Sequence, residues 1–412
     1  PYWLDESLHF LMVARRWRGV ACSAGLCLVG SRALDIFVNS RAWFASQLPK
    51  ASRSGMSDSS AWRMTQQEMR DVLSKYDKAV EDDGYYLIHP SKRERQLLGK
   101  DAVARRSDAV QKAREVNQRF VETVLSDLGQ ETVDRHVADM RCLSERPGVL
   151  PTTSYGSLAS VFLHLFRDWT IECEHVRQST YEPAIAALKN HVPPGSAVLL
   201  PGAGLGRFAL ELAKEGYVVE ANDASRLFLT FADYILNRAP EGGLRLLPLA
   251  HVFSENWGYA QQYIEVQVPC PRPESLTSKL EGEAGPLISF VCGDFIKNYG
   301  YGCPGKRKFD AVVTCFFIDT VTDFTELMDT VDGLLDVGGV WLNVGPLNWR
   351  KEARLKLAWS EITAMWQNLG YEFVSQESLD CDYHLKRGLK MYTESYNVSL
   401  TVAVKRRASD DE

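Results

Sequence analysis

The chain lacks most features that would settle its class quickly. Its nine cysteines are scattered, and no two stand in a Cys-x-x-Cys spacing. A closed zinc site or a disulfide framework is therefore not expected, and a reducing compartment fits. It also lacks a basic surplus: 47 Lys and Arg face 53 Asp and Glu, a net charge of −6, which argues against a dedicated nucleic-acid binder. No apolar run approaches the roughly 18 residues of a membrane-spanning helix, so no membrane role is expected. The nearest, "VACSAGLCLVG" at 20–30 behind "RRWR" at 15–18, resembles a short signal-peptide core. No internal repeat, Ser/His/Asp arrangement or metal-ligand spacing is visible. What remains is ordinary globular composition, 45% hydrophobic and 24% charged over 412 residues, enough for one large α/β domain with additions.

Residues 1–55 carry seven basic side chains against three acidic ones, and the text from Met56, "MSDSSAWRMTQQEM", reads as a natural start. The expectation is that 1–55 is an extension outside the working fold. From 56 to 148 the pattern is polar and helical; Val110, Ala113, Val116, Phe120, Val124 and Leu128 recur at helical spacing, with Gly129 as a stop. "SKRERQLLGK" (91–100) reads as a solvated helix face. From 149 to 406 a helical stretch is followed by short apolar strands at 197–200, 218–221, 287–291, 310–318 and 339–344 that alternate with helices. Such alternation predicts a parallel sheet with crossovers. Two more strands, 371–376 and 396–406, have no clear helix between them and predict an antiparallel hairpin at the end of the sheet. Residues 239–285 interrupt the alternation as an insertion, and 407–412 is a disordered tail.

The most specific segment is "SAVLLPGAGLGRFALELAKEGYVVEAND" (196–223). A strand runs into Gly202, Gly204 and Gly206, then at once into a helix, and the next strand ends at Asp223. Glycines there permit a tight turn and close ligand approach, and an acid at that distance suits the hydroxyls of a ribose. The spacing is GxGxG, with Arg207 where a dinucleotide fingerprint wants its third glycine. That favours a nucleoside cofactor without a pyrophosphate, which S-adenosylmethionine is. In "VCGDF" (291–295), Asp294 suits an adenine amino group and Phe295 the purine face; Asp294 as a helix N-cap is the competing reading. "FDAVVTCFFIDT" reads as a buried strand that releases Asp319 at the sheet's carboxyl edge, either as a ligand-facing acid or as the N-cap of a helix near residue 323.

Together, "LLPGAGLGRFALELAKEGY", "ANDAS", "CGDF", "TCFFIDT" and "NVGPL" resemble the carnosine N-methyltransferase family over roughly 150–406. The resemblance implies a class I methyltransferase-like α/β fold, with a mostly parallel seven-stranded sheet, a C-terminal antiparallel hairpin and a helical N-terminal region. It implies methyl transfer from S-adenosylmethionine to the imidazole of a histidine-containing dipeptide, carnosine to anserine. His164, Arg167, the Gly202–Gly206 turn, Asp223, Asp294, Phe295 and Cys315 would hold the cofactor. Asp319 would act as the catalytic residue and hold the imidazole, with Arg350 and Tyr396 in the substrate site. A cytoplasmic location, with the nucleus also open, a small-molecule partner and a homodimer are compatible with it.

Three positions depart from the family pattern: Arg350 replaces a histidine, His164 a glutamine, and "AND" around Asp223 replaces "GNE". A methyltransferase for another imidazole, amine or peptidyl histidine, and a catalytically silent cofactor-binding scaffold, are the alternatives. Trp349, Trp359 and Trp366 read as core or pocket wall. His251 lies in the insertion, in a lid or a loop packed on its own aromatics.

Overall fold

The computed structural model describes residues 63–128, 138–142 (backbone only), 157–240, 242–269, 288–300, 307–383 and 390–407. The expectations for 1–55, for Gly129 and for the tail from 408 lie outside the described residues, as does the insertion beyond 269. Among the described residues no helix is long and apolar enough to cross a membrane.

Helix α1 (Gln66–Ile88) starts where Thr65 accepts the N–H of Glu68 and the Glu68 carboxylate accepts the N–H of Thr65, which satisfies two orphan donors at once. Ser91 and Glu94 repeat the device at α2 (Lys92–Leu98), which buries no residue and is the solvated helix its charges predict. Helix α3 (Lys100–Leu128) buries Val110, Ala113, Phe120 and Val124, with Val116 and Leu128 half-buried beside them. Phe120 stacks on Phe231 and meets Phe162 edge-on, each at 6.0 Å between centroids. The helical region and the sheet thus share one core.

The helical expectation fails at residues 138–142. This segment is strand β1 (Ala138–Cys142), paired in parallel with β6 (Ile288–Cys292). Without it β6 would be the sheet's edge, and open backbone donors and acceptors there recruit a segment too short to specify its own conformation.

The helical stretch after residue 157 divides in two. Ser157 caps α4 (Leu158–Trp169), Thr170 is extended, and a 3-10 turn at Ile171–Cys173 leads into α5 (Glu174–Lys189). The alternation follows: β2 (Ala197–Pro201), α6 (Arg207–Lys214), β3 (Val218–Asp223) and α7 (Arg226–Asn237). Within the insertion, β4 (Leu244–Leu246) and β5 (Val266–Val268) form an antiparallel ribbon around the short α8 (Tyr259–Gln262). After β6 come α9 (Phe295–Tyr299), β7 (Phe309–Cys315), α10 (Phe324–Leu334), β8 (Leu335–Gly345), α11 (Trp359–Asn368), β9 (Tyr371–Asp382) and β10 (Ser395–Lys405).

The main sheet runs β1-β6-β3-β2-β7-β8-β10-β9, with β10 alone running against the direction of the other strands. Renumbered over the seven expected strands, this is 3-2-1-4-5-7-6, the class I methyltransferase arrangement; β1 is an added edge. Strand order reverses between β2 and β7, whose pairing is limited to Val198–Ala311 and Leu199–Val312. Past those residues the two strands part, and the crevice they leave is where α/β sheets bind ligands.

Elsewhere the packing is structural. Trp366 of α11 stacks on Trp341 of β8 at 4.3 Å, both fully buried, while Trp359 is half-buried. Trp349 donates to Leu357 O at 2.9 Å. The insertion is fastened to the N-terminal helices: Asn117 of α3 donates to Leu247 O (3.0 Å) and to the Tyr76 hydroxyl (3.2 Å), and accepts the Leu247 N–H (2.9 Å). His251 packs edge-on against Tyr76 at 5.7 Å, so its aromatic neighbour comes from α1 and not from its own loop.

Candidate functional site

The backbone after β2 turns three times through positive φ, at Gly202 (+69°), Gly204 (+55°) and Gly206 (+78°). An L side chain at any of them would be strained, but the three glycines serve different neighbours. A Cβ on Gly202 would stand 2.5 Å from Phe317, and one on Gly206 would stand 2.7 Å from Phe290. Those two are small so that the turn can pack on β6 and on the β7 loop. A Cβ on Gly204 would meet nothing closer than 3.9 Å, and Gly204 faces open space.

That space is a cavity of about 700 Å³ beneath the parted ends of β2 and β7. Of the residues expected at a cofactor site, His164, Arg167, Gly202, Gly204, Asp223, Asp294, Phe295 and Cys315 all line it. Gly206 does not, and its place is under the helix start. Asp223 is clamped by backbone donors, Gly204 N–H to Oδ2 and Ser225 N–H to Oδ1, both at 2.8 Å. Burial pushes its pKa up while these two bonds hold it back. Asp294 accepts the N–H of Lys297 through Oδ1 at 3.0 Å, so it is an N-cap and a wall residue at once. Phe295 is buried, edge-on to Phe317 at 5.7 Å. The Cys315 thiol is pushed up to about 12 by burial and stays protonated.

At the other end, α4 presents Arg167 and Asp168 as a bidentate pair, Nε to Oδ1 at 2.6 Å and Nη2 to Oδ2 at 3.1 Å. Nη1 is the nitrogen Asp168 leaves unengaged, and the guanidinium lies 4.8 Å over the Tyr383 ring. His164, one turn earlier, donates Nδ1–H to Ser160 O at 2.8 Å; a carbonyl cannot donate, so the tautomer is settled and Nε2 is bare. Burial, then Arg167, lowers its pKa to about 4, and the ring is neutral at physiological pH.

Strand β7 leaves the sheet through Phe316, an aromatic residue held at φ +49° by its N–H bond to Val344 O at 2.8 Å. Gly345 accommodates it, since a Cβ there would lie 3.1 Å from Phe316 N. The Phe316 ring lies 4.9 Å from Tyr383 and 6.1 Å from Tyr396, and those two meet edge-on at 5.5 Å. Strand β7 and the β9–β10 hairpin, distant in sequence, thus form one aromatic corner.

Asp319 follows within a 3-10 turn, Ile318–Thr320. The N-cap of α10 is Asp323, which accepts the N–H groups of Thr325 and Glu326. The helix-cap reading of Asp319 is therefore corrected: one cap position has one occupant, and Asp323 fills it. Asp319 is 6% exposed and accepts the Asn348 N–H through Oδ2 at 2.8 Å, while its carbonyl accepts the Arg350 N–H. Burial raises the pKa of the carboxyl, against the Asn348 bond and the charge of Arg350. Arg350 is exposed on the cavity wall; Asp319 and Tyr396 are next to wall residues but not among them. The Tyr396 hydroxyl bonds the Glu394 carboxylate. Sequence reasoning missed Asp168, Phe316 and Tyr383. Asp168 directly follows Arg167 in the chain, which is the one signal for it; for Tyr383 no local signal exists.

A family model described as carnosine N-methyltransferase matches residues 149–407. The chain belongs to the carnosine N-methyltransferase family. Among curated relatives of that name, the protein from Schizosaccharomyces pombe is 29% identical over 247 residues, 55% of this chain and 65% of that one. The Mus musculus protein is 29% identical over 291 residues, 67% of this chain and 69% of that one. This chain therefore spans about two thirds of their length. A solved magnesium protoporphyrin IX methyltransferase from Synechocystis is 15% identical with a TM-score of 0.36, covering 62% of this chain and 93% of that one. The fold assignment rests on the strand order and not on so distant a superposition. His164, Asp223 and Arg350 all lie on the cavity wall.

The donor set fits S-adenosylmethionine. Asp223 keeps lone pairs beyond its two backbone bonds, Phe295 and Asp294 stand together on the cavity wall, and Asp168 leaves Arg167 Nη1 unengaged. Gly204 leaves the room a Cβ would fill.

Proposed function

We propose that this protein is an S-adenosylmethionine-dependent N-methyltransferase acting on the imidazole of a histidine-containing dipeptide, with carnosine as substrate and anserine as product. The observation that carries the reading is the buried Asp319 carboxylate beside the cavity, tied by one oxygen to Asn348 and raised in pKa by its surroundings. Bound in the cavity, S-adenosylmethionine supplies an electrophilic methyl on a sulfonium. Asp223 and the glycine turn would hold the adenosine and Arg167 the carboxylate, while neutral His164 adds no positive charge to the cavity wall. Cys315 and Phe295 complete the wall.

The chain's part in the chemistry is orientation. A neutral imidazole has one N–H and one bare nitrogen. Ionised Asp319 accepts the N–H, which selects the tautomer and aims the bare nitrogen, and it stabilises the cation that forms. Phe316 and Tyr383, both on the cavity wall, would add aromatic surface near that cation. Most of the rate gain comes from holding nitrogen and methyl in line.

The test is a methylation assay over carnosine, free histidine, histidine peptides and unrelated amines, with products identified by mass spectrometry. Methylated carnosine is the expected product. Turnover of amines alone, or of no substrate despite cofactor binding, would end the reading.

A further inference from the structure

We propose that Arg350 makes the enzyme a reader of the free α-carboxylate on the imidazole-bearing residue. The substrates are then compounds in which histidine is carboxy-terminal, whereas histidine amides and histidines inside a peptide are rejected. This rests on the reading that Asp319 holds the imidazole.

Four cations line the cavity, and three are engaged. Arg167 is paired with Asp168, Arg207 with Glu211 at 2.6 Å, and Lys297 has a partner of its own. The Arg350 guanidinium makes no hydrogen bond or ion pair among the described residues, and the charge it acts on is that of Asp319. Nor do nearby acids consume it, since Asp323 is bonded to the start of α10 and paired with Arg354 at 3.0 Å. The position is also held firmly, because the Arg350 backbone N–H donates to Asp319 O at 3.3 Å. The side chain thus springs from a point bonded to the turn that carries the imidazole acceptor. A ligand with an N–H on Asp319 and an anion a few bonds away meets both groups. In histidine the carboxylate lies three carbons from the ring, and a guanidinium binds a carboxylate through two parallel N–H bonds. An amide in its place carries no charge and faces the same guanidinium with one acceptor.

The experiment compares carnosine with its carboxy-terminal amide in the full chain, by kcat/KM and by titration calorimetry, for the native protein and for Arg350→Met and Arg350→Lys. A charge-assisted pair of this kind is worth roughly 10- to 100-fold. The amide is expected to lose that factor with the native protein. Arg350→Met should lower carnosine by a similar factor and leave the amide nearly unchanged, so that the two converge, with Arg350→Lys between. Equal handling of carnosine and amide by the native protein overturns the inference. So does an Arg350→Met variant that loses both substrates equally, because Arg350 would then serve Asp319 alone. Methylation of no imidazole compound would instead remove the reading beneath it.

Discussion

The backbone N–H of Asn348 donates to Oδ2 of Asp319 at 2.8 Å, joining the loop after β8 to the turn after β7. A carboxylate held this way has a structural duty and a charge, and the two can be separated. Asp319→Asn keeps an oxygen for Asn348 and loses the charge; Asp319→Ala loses both. Turnover of carnosine is expected to fall on the order of 10² or more in each, with a lower melting temperature only for the alanine variant. Turnover within threefold of native in Asp319→Asn would leave the residue a structural tie. Because the ionised form is required and burial raises its pKa, native turnover should decline on acidification at a higher pH than an unperturbed aspartate would give.

The three glycines of the turn should fail differently. Gly204→Ala projects a methyl toward the cavity, where the nearest atom is 3.9 Å away. It should weaken S-adenosylmethionine binding by tenfold or more in calorimetry, at a cost of about 1–2 kcal/mol in stability from positive φ alone. Gly206→Ala drives a methyl to 2.7 Å from Phe290 and should destabilise further, by packing. Equal losses of stability in both would contradict this division.

His164 links acid sensitivity to the site. Its pKa is about 4 in the folded protein against 6.5 for the free side chain. Below pH 6.5 the unfolded chain takes up a proton that the folded one refuses, so stability falls as pH drops from 6.5 toward 4, by about 2 kcal/mol at pH 5. Half-buried His251, also near 4, acts in the same direction. His164→Gln should flatten the fall in melting temperature between pH 7 and pH 5, and His164→Gln with His251→Gln should flatten it more. An unchanged slope in the double variant would exclude both rings as its source.

Asn117 is the fastening between the insertion and the helical region. Asn117→Ala leaves both backbone groups of Leu247 and the Tyr76 hydroxyl short of partners in a buried place. The expected loss is about 2–3 kcal/mol in denaturant unfolding, with the kcat of carnosine methylation retained. A loss below 0.5 kcal/mol would show that water replaces the clamp.

Much of the adenosine half of the site is legible in one continuous segment. Gly202, Gly204 and Asp223 lie within 196–223, and a parallel βαβ unit with a glycine turn brings its carboxyl ends together by geometry alone. The sheet is legible for a related reason: strands buried on both faces must be apolar throughout, so 197–200 and 310–318 announce themselves. By contrast, "ADMRC" at 138–142 is extended only because β6 offers it an edge.

Composition and local pattern by themselves determined the α/β class, the glycine turn, and the presence of an acid at the mouth of β7. Tertiary structure alone decided that Asp323 and not Asp319 caps α10, that Phe316, Tyr383 and Tyr396 form one corner, and that Arg350 is the cavity's unpaired cation among the described residues. The physical reason is range. Dihedral preference and strand burial act over a few residues and leave their record in the chain, whereas the partner of a charge or the neighbour of a ring is chosen across distances that no stretch of sequence spans.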